Sequence, residues 1–198
     1  MKKQLLYKFF FTIFFLCTYC LLYSQETSFI LSDKNGTAET KALYQNLKTL
    51  SAKGYLFGHQ DDLAYGVNWR YEKDRSDVKD VCGDYPGIYG WDLGGLERNN
   101  SEKNLDGVPF KNMRQYIKDA YKRGGVITIS WHFDNPSTGG NAWDTAHGTV
   151  ASILPGGASH ELFKTWLDKA ANFILSLKGE NKELIPVLFR PYHELTGT

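Results

Sequence analysis

The sequence predicts an α/β fold built on a parallel sheet, and three observations carry that prediction. Four short apolar runs have the length and composition of buried strands. Helical patterns lie between them. Each run then ends in polar and aromatic residues before a loop rich in Gly, Asn and Asp. The strand runs cover residues 55–59, 87–92, 126–132 and 185–192. The third reads Val-Ile-Thr-Ile-Ser-Trp-His and the fourth Ile-Pro-Val-Leu-Phe-Arg. Both are continuous apolar runs rather than clean alternations, which favours strands covered on both faces. Pro186 has no N–H to donate, so it belongs at a strand start or edge.

The helices follow in order. Residues 39–53 place Ala42, Leu43, Leu47 and Leu50 at helical spacing before Gly54. A short helix is expected over 77–82. Residues 111–123 carry Met113, Tyr116, Ile117 and Ala120, and the Gly124-Gly125 pair stops them. Residues 160–178 carry the longest apolar face, from Leu162 and Phe163 through Trp166, Leu167, Ala170, Phe173 and Ile174 to Leu177.

The chain has 198 residues, 42% hydrophobic and 15% aromatic, with 19 Gly and a formal net charge of +1. That composition excludes long disorder, a collagen-like repeat and a disulfide-rich miniprotein. The near-neutral balance argues against nucleic acid as the main partner. Residues 1–24 read as a signal peptide: Lys2, Lys3 and Lys8, then an apolar run to Leu22 that is shorter than the roughly 20 residues of a membrane span. A secreted or periplasmic protein with no membrane span in its mature chain is expected. Cys17 and Cys20 raise a lipoprotein alternative, which the large neighbours Phe15, Leu16 and Tyr19 disfavour. Cleavage after Ser24 removes three lysines and no acids, so the charge of +1 becomes −2. Of 3 Cys only Cys82 then remains, too few for an internal disulfide.

The strand ends carry the chemistry. They read His59-Gln60-Asp61-Asp62, Trp91-Asp92-Leu93-Gly94-Gly95-Leu96-Glu97, Ser130-Trp131-His132-Phe133-Asp134-Asn135-Pro136 and Arg190-Pro191-Tyr192-His193-Glu194. In parallel α/β folds the carboxyl ends of strands carry the site. Indoles suit sugar stacking, and Asn, Asp, His and Arg suit sugar hydroxyls. Trp91, Trp131 and Trp143 are candidates, each with core packing as the alternative. Glu194, beside Arg190 and His193, has neighbours that can set its protonation. Glycoside cleavage uses such a carboxyl as proton donor opposite a second one. A salt-bridged structural Glu is the alternative.

Other chemistries fail on spacing. His193-Glu194 opens like a zinc-protease signature, but Gly197 stands where the second His belongs, and His160-Glu161 fails likewise at Lys164. There is no P-loop, no Gly-x-Gly-x-x-Gly and no Gly-x-Ser-x-Gly elbow. His59, His132, His147 and His193 leave a metal-dependent hydrolase as a weaker possibility.

At these strand ends the sequence resembles glycoside hydrolase family 26, the β-mannanases. The likeness is carried by Phe57-Gly58-His59-Gln60, Gly90-Trp91-Asp92-Leu93, the stretch from Ile129 to Pro136, and Leu188-Phe189-Arg190-Pro191-Tyr192-His193-Glu194-Leu195-Thr196-Gly197. It runs from residue 55 to residue 198. The resemblance implies a (β/α)8 TIM barrel, of which this chain supplies about the first four β/α units. Residues 25–198 are then the amino-terminal part of the catalytic domain. It implies an endo-1,4-β-mannosidase that retains configuration and acts on mannan, galactomannan or glucomannan. The partner is β-mannan polysaccharide or oligosaccharide, with no metal or organic cofactor. Glu194 matches the family's general acid/base and His193 the His that supports it. His132 matches a sugar-binding His, and Trp143, Trp131 and Glu97 match subsite positions by loop.

The family's nucleophile is a Glu ending the seventh strand, so no residue of this chain is assigned that role, and the chain alone is expected to be inactive. Without the leader 174 of 198 residues remain, against about 250 for a complete barrel. Two rivals share these residues. One is a family 26 enzyme acting on β-1,3-xylan or mixed-linkage glucan. The other is a polysaccharide-binding module without catalysis.

Overall fold

The computed structural model describes residues 31–192 and 194. The expected leader and His193 lie outside the described residues. In chain order the elements are α1 (Ala38–Ser51), β1 (Gly58–Gln60), β2 (Tyr65–Gly66), β3 (Trp69–Arg70), α2 (Asp77–Cys82), β4 (Ile88–Asp92), α3 (Phe110–Lys122), β5 (Val126–Ser130), α4 (Thr149–Ile153), α5 (His160–Leu175) and β6 (Val187–Arg190). All belong to the compact unit Thr37–Thr198. The unit Met1–Gly36 contributes, among the described residues, a turn in which Gly36 N donates to Asp33 O at 3.2 Å.

The α/β prediction holds. β1, β4, β5 and β6 form one sheet in that order, and every pairing is parallel. Gly58 lies opposite Ile88, Ile88 opposite Val126, and Ser130 opposite Arg190. The crossovers that a parallel sheet requires run through α2, then α3, then α4 and α5. The two central strands are nearly buried throughout, as their apolar runs predicted.

Two helices close the core. α3 buries Phe110, Met113, Ile117 and Ala120, and α5 buries Phe163, Trp166, Ala170 and Phe173. Both sets share the spacing three, four, three, which keeps one stripe of a helix facing inward. The stripes meet where Phe110 and Phe173 pack edge to face, ring centroids 6.0 Å apart. Trp91 stacks on Tyr116 at 5.8 Å, joining β4 to α3. Burying each large apolar side chain contributes about 1.5–3 kcal/mol. Gly124, at φ 83°, reverses the chain after α3, and Gly125 N donates back to Ala120 O at 3.0 Å.

The differences from expectation have physical causes. β1 is an edge strand, and only Gly58–Gln60 lies against β4; Tyr55 is 96% exposed. β5 ends at Ser130 because the next backbone N–H groups leave the ladder: His132 N donates to the Asp92 side chain. β6 begins after Pro186, as its missing N–H required. α1 forms, but none of its residues is buried among the described residues. Its apolar stripe therefore has a helix's spacing without a core to enter. The β2–β3 hairpin and α4 were not anticipated. Two-residue strands carry no alternation, and the hairpin is fixed from outside by Asp77, which accepts from Val67 N at 2.8 Å and Trp69 Nε1 at 2.5 Å. No helix among the described residues is long and apolar enough to cross a membrane.

Candidate functional site

Parallel pairing brings the carboxyl ends of all four strands to one edge of the sheet. A network of hydrogen bonds there centres on Asp92, the last residue of β4, which is 2% exposed. Its Oδ1 accepts from Gly94 N at 2.6 Å and His132 N at 3.2 Å. Its Oδ2 lies 2.5 Å from Ser130 Oγ, which donates, and 2.7 Å from His132 Nδ1. Gly94 makes this possible: a Cβ there would run into Leu105, His132 O and the Asp92 carboxylate itself. Asn104 donates to Asp92 O at 3.0 Å and accepts from Val108 N at 2.8 Å, fixing the loop after β4.

His132 and Trp143 stack, ring centroids 5.7 Å apart and planes 15° from parallel. Trp143 is 69% exposed, so its indole presents apolar surface at the strand ends. Its loop is braced from within. The buried Asn135 donates to Asp144 O at 3.3 Å and Thr149 Oγ1 at 3.0 Å, and accepts from Ser137 N at 2.9 Å. Asp144 also accepts from Thr138 Oγ1 and Ala146 N, and Trp143 N donates to Asn141 Oδ1 at 3.0 Å.

Trp131 and Glu97 are placed differently from the sugar-facing role their loop positions suggested. They are 1% and 2% exposed. Trp131 Nε1 donates to Glu97 Oε2 at 3.1 Å. Gly95 N donates to both Glu97 oxygens and Asp134 N to Oε1, each at 3.1 Å. A buried carboxylate needs such partners. Trp131 packs against Phe133 at 4.9 Å and Phe189 at 6.4 Å. In the described residues the pair is therefore core that joins two loops, the alternative each buried Trp carried from the outset. Arg98 and Asp134 add a two-pronged ion pair, 2.7 Å at each contact.

Glu194 is exposed and follows β6 by four residues. β6 lies beside β5, and Tyr192 meets Phe133 edge to face at 6.0 Å. The segment leading to Glu194 thus lies against the segment leading from His132. Arg190, expected as a neighbour of Glu194, donates through Nε to Thr128 Oγ1 at 3.0 Å.

A second group of acids lies at the end of β1. Asp61 is fully buried with backbone φ 53°. Tyr65 OH donates to its Oδ2 at 3.1 Å, while Oδ1 has no partner among the described residues. Burial, reinforced by Asp106, pushes its pKa up to about 7. Burial also raises Asp106, with Asp92 adding to the effect. Asp62, likewise raised by burial, accepts from Ser76 Oγ at 2.9 Å and lies 3.1 Å from His59 Nδ1. Asp61 and Asp92 stand inside strand-end motifs whose sequence alone gives neither a role. The available signal was a carboxylate at or just past a strand end, next to residues that must be buried.

Residues 32–198 match the model of the family described as glycosyl hydrolase family 26. A mannan endo-1,4-β-mannosidase of Bifidobacterium adolescentis is 38% identical over 182 residues, covering 88% of this chain and 18% of that protein. One of Bacillus subtilis is 29% identical over 146 residues, covering 71% and 37%. Among solved structures, a GH26 β-mannanase from Bacteroides ovatus superposes with a TM-score of 0.79 at 53% identity, covering 82% of this chain and 47% of that one. An endo-β-1,4-mannanase from Cellulomonas fimi gives 0.74 at 35% identity, covering 84% and 38%. The chain spans less than half the length of each of these proteins.

Proposed function

The chain belongs to glycosyl hydrolase family 26, and on that premise we propose that it serves the hydrolysis of β-1,4-linked mannan. The relatives that support this are named as mannanases. The four parallel strands are the first four β/α units of an eight-unit barrel. Residues 1–24 are a leader that takes the protein to the periplasm or beyond.

Glu194 is the general acid/base. It protonates the leaving glycosidic oxygen, then takes a proton from the water that releases the product. His193, adjacent in sequence, holds and tunes it. A second carboxylate attacks the sugar carbon from the opposite face, about 5–5.5 Å from the first in a retaining enzyme. No residue of this chain is assigned that second role. His132 and Trp143 meet the sugar. The indole covers a C–H face and the imidazole exchanges hydrogen bonds with hydroxyls. The observation that carries the proposal is this His132–Trp143 stack, next to the strand that leads to Glu194.

The test is Glu194→Ala in the full-length protein. Hydrolysis of mannan is expected to fall by roughly 10²–10⁴-fold, the usual worth of a positioned acid/base. An aryl mannoside with a good leaving group needs little protonation, so its first step survives and added azide speeds the second. A near-wild-type rate on mannan refutes the assignment.

A further inference from the structure

The geometry points to Asp92 as a positioning residue that fixes the ring orientation and tautomer of His132, so that Nδ1 carries a proton and the imidazole is held flat against Trp143. The sugar-binding consequence rests on the proposed function; the fixing of the ring does not.

Asp92 is buried and faces donors on every side. Two are backbone N–H groups, of Gly94 and of His132 itself. A third is Ser130 Oγ. The fourth contact, His132 Nδ1 at 2.7 Å from Oδ2, needs a proton between the two atoms. A carboxyl is a stronger acid than an imidazolium, so the proton between the two belongs on nitrogen. His132 is tied twice to one carboxylate, by its backbone N–H and by its ring. This removes the rotation that would otherwise let the imidazole turn. The Trp143 stack, within 15° of parallel, follows from that fixed plane. With Nδ1 protonated, Nε2 is an acceptor in the neutral ring and a donor in the charged one.

Asp92→Asn changes one oxygen to an amide while keeping the shape. If the amide nitrogen takes the Oδ2 place, it faces Nδ1 with a donor. The neutral ring then has to move its proton to Nε2. The readout is side-chain ¹⁵N NMR of the full-length protein, with the His132 signals identified by their loss in His132→Gln. The wild type is expected to show Nδ1 protonated and Asp92→Asn to show the neutral Nε2–H form. A wild-type His132 that is neutral with its proton on Nε2 overturns the proposal, whether or not the variant folds. An unchanged tautomer in a folded Asp92→Asn protein overturns it as well.

Kinetics separate the two layers. If His132 binds the sugar, Asp92→Asn and His132→Gln each lower kcat/KM on mannan by roughly 10- to 100-fold, the range for losing one buried hydrogen-bond partner. The double variant loses little more. A tautomer switch with unchanged mannan kinetics in both single variants supports the positioning and removes the sugar role of His132.

Discussion

Asp61 occupies a place that is costly for a carboxylate at neutral pH. It is fully buried, one oxygen has no partner among the described residues, and its carboxyl is raised from 3.8 to about 7. Below about pH 4 the native and unfolded chains both keep that proton. From there to about pH 7 the unfolded chain has released it and the native chain has not, so stability falls as pH rises. Above about pH 7 the effect is complete. Asp61→Asn removes the titration, keeps an oxygen for Tyr65 OH, and suits the left-handed backbone that Asn tolerates. The variant is expected to be more stable by about 1–3 kcal/mol at pH 8 and nearly equal to wild type at pH 4. Urea unfolding at both values checks this, and parallel curves at the two pH values would mean that Asp61 is ionised in the native protein. None of this cost was legible in the sequence. Asp61 and Asp62 read alike there, and only the fold decides which oxygen finds a donor.

At the scale of elements, two helix caps of the same type have different consequences. Thr37 Oγ1 accepts from Thr40 N at the start of α1, a helix with no buried residue. Ser76 Oγ accepts from Lys79 N at the start of α2, is fully buried, and donates to Asp62. Ser76→Ala leaves Asp62 short of a donor in a buried place and is expected to cost about 1–3 kcal/mol, against about 0.5–1 kcal/mol for Thr37→Ala. Thermal unfolding of the two variants decides the order. The strands and the long helices were legible because an apolar run or a stripe at helical spacing requires burial. β4 and β5 obeyed that, and so did Phe163, Trp166, Ala170 and Phe173. Leu162 and Leu167, on the same helix and equally apolar, stay 46% and 41% exposed because they fall beside the stripe. The β2–β3 hairpin was illegible because its clamp, Asp77, stands eight residues beyond Trp69.

At the scale of the molecule, the proposed mechanism needs two carboxyl groups and assigns one here. On that proposal the 198-residue chain alone is expected to release no reducing sugar from mannan. Cleavage by the purified chain, free of longer forms, sinks that expectation. The strand-end motifs made the neighbourhood of the site legible, since parallel pairing collects carboxyl ends whatever the loops do. They did not reveal which aromatic residue faces outward. Trp131 and Trp143 differ only in context, and Glu97 draws the first inward. That carboxylate has a further consequence for how the protein can change. Glu97 belongs to the loop after β4, yet it accepts from Trp131 and Asp134 in the loop after β5. The two loops are one inheritable part. An insertion or a graft that replaces either alone strands a buried charge, whereas a transplant carrying residues 93–98 together with 131–134 keeps every partner.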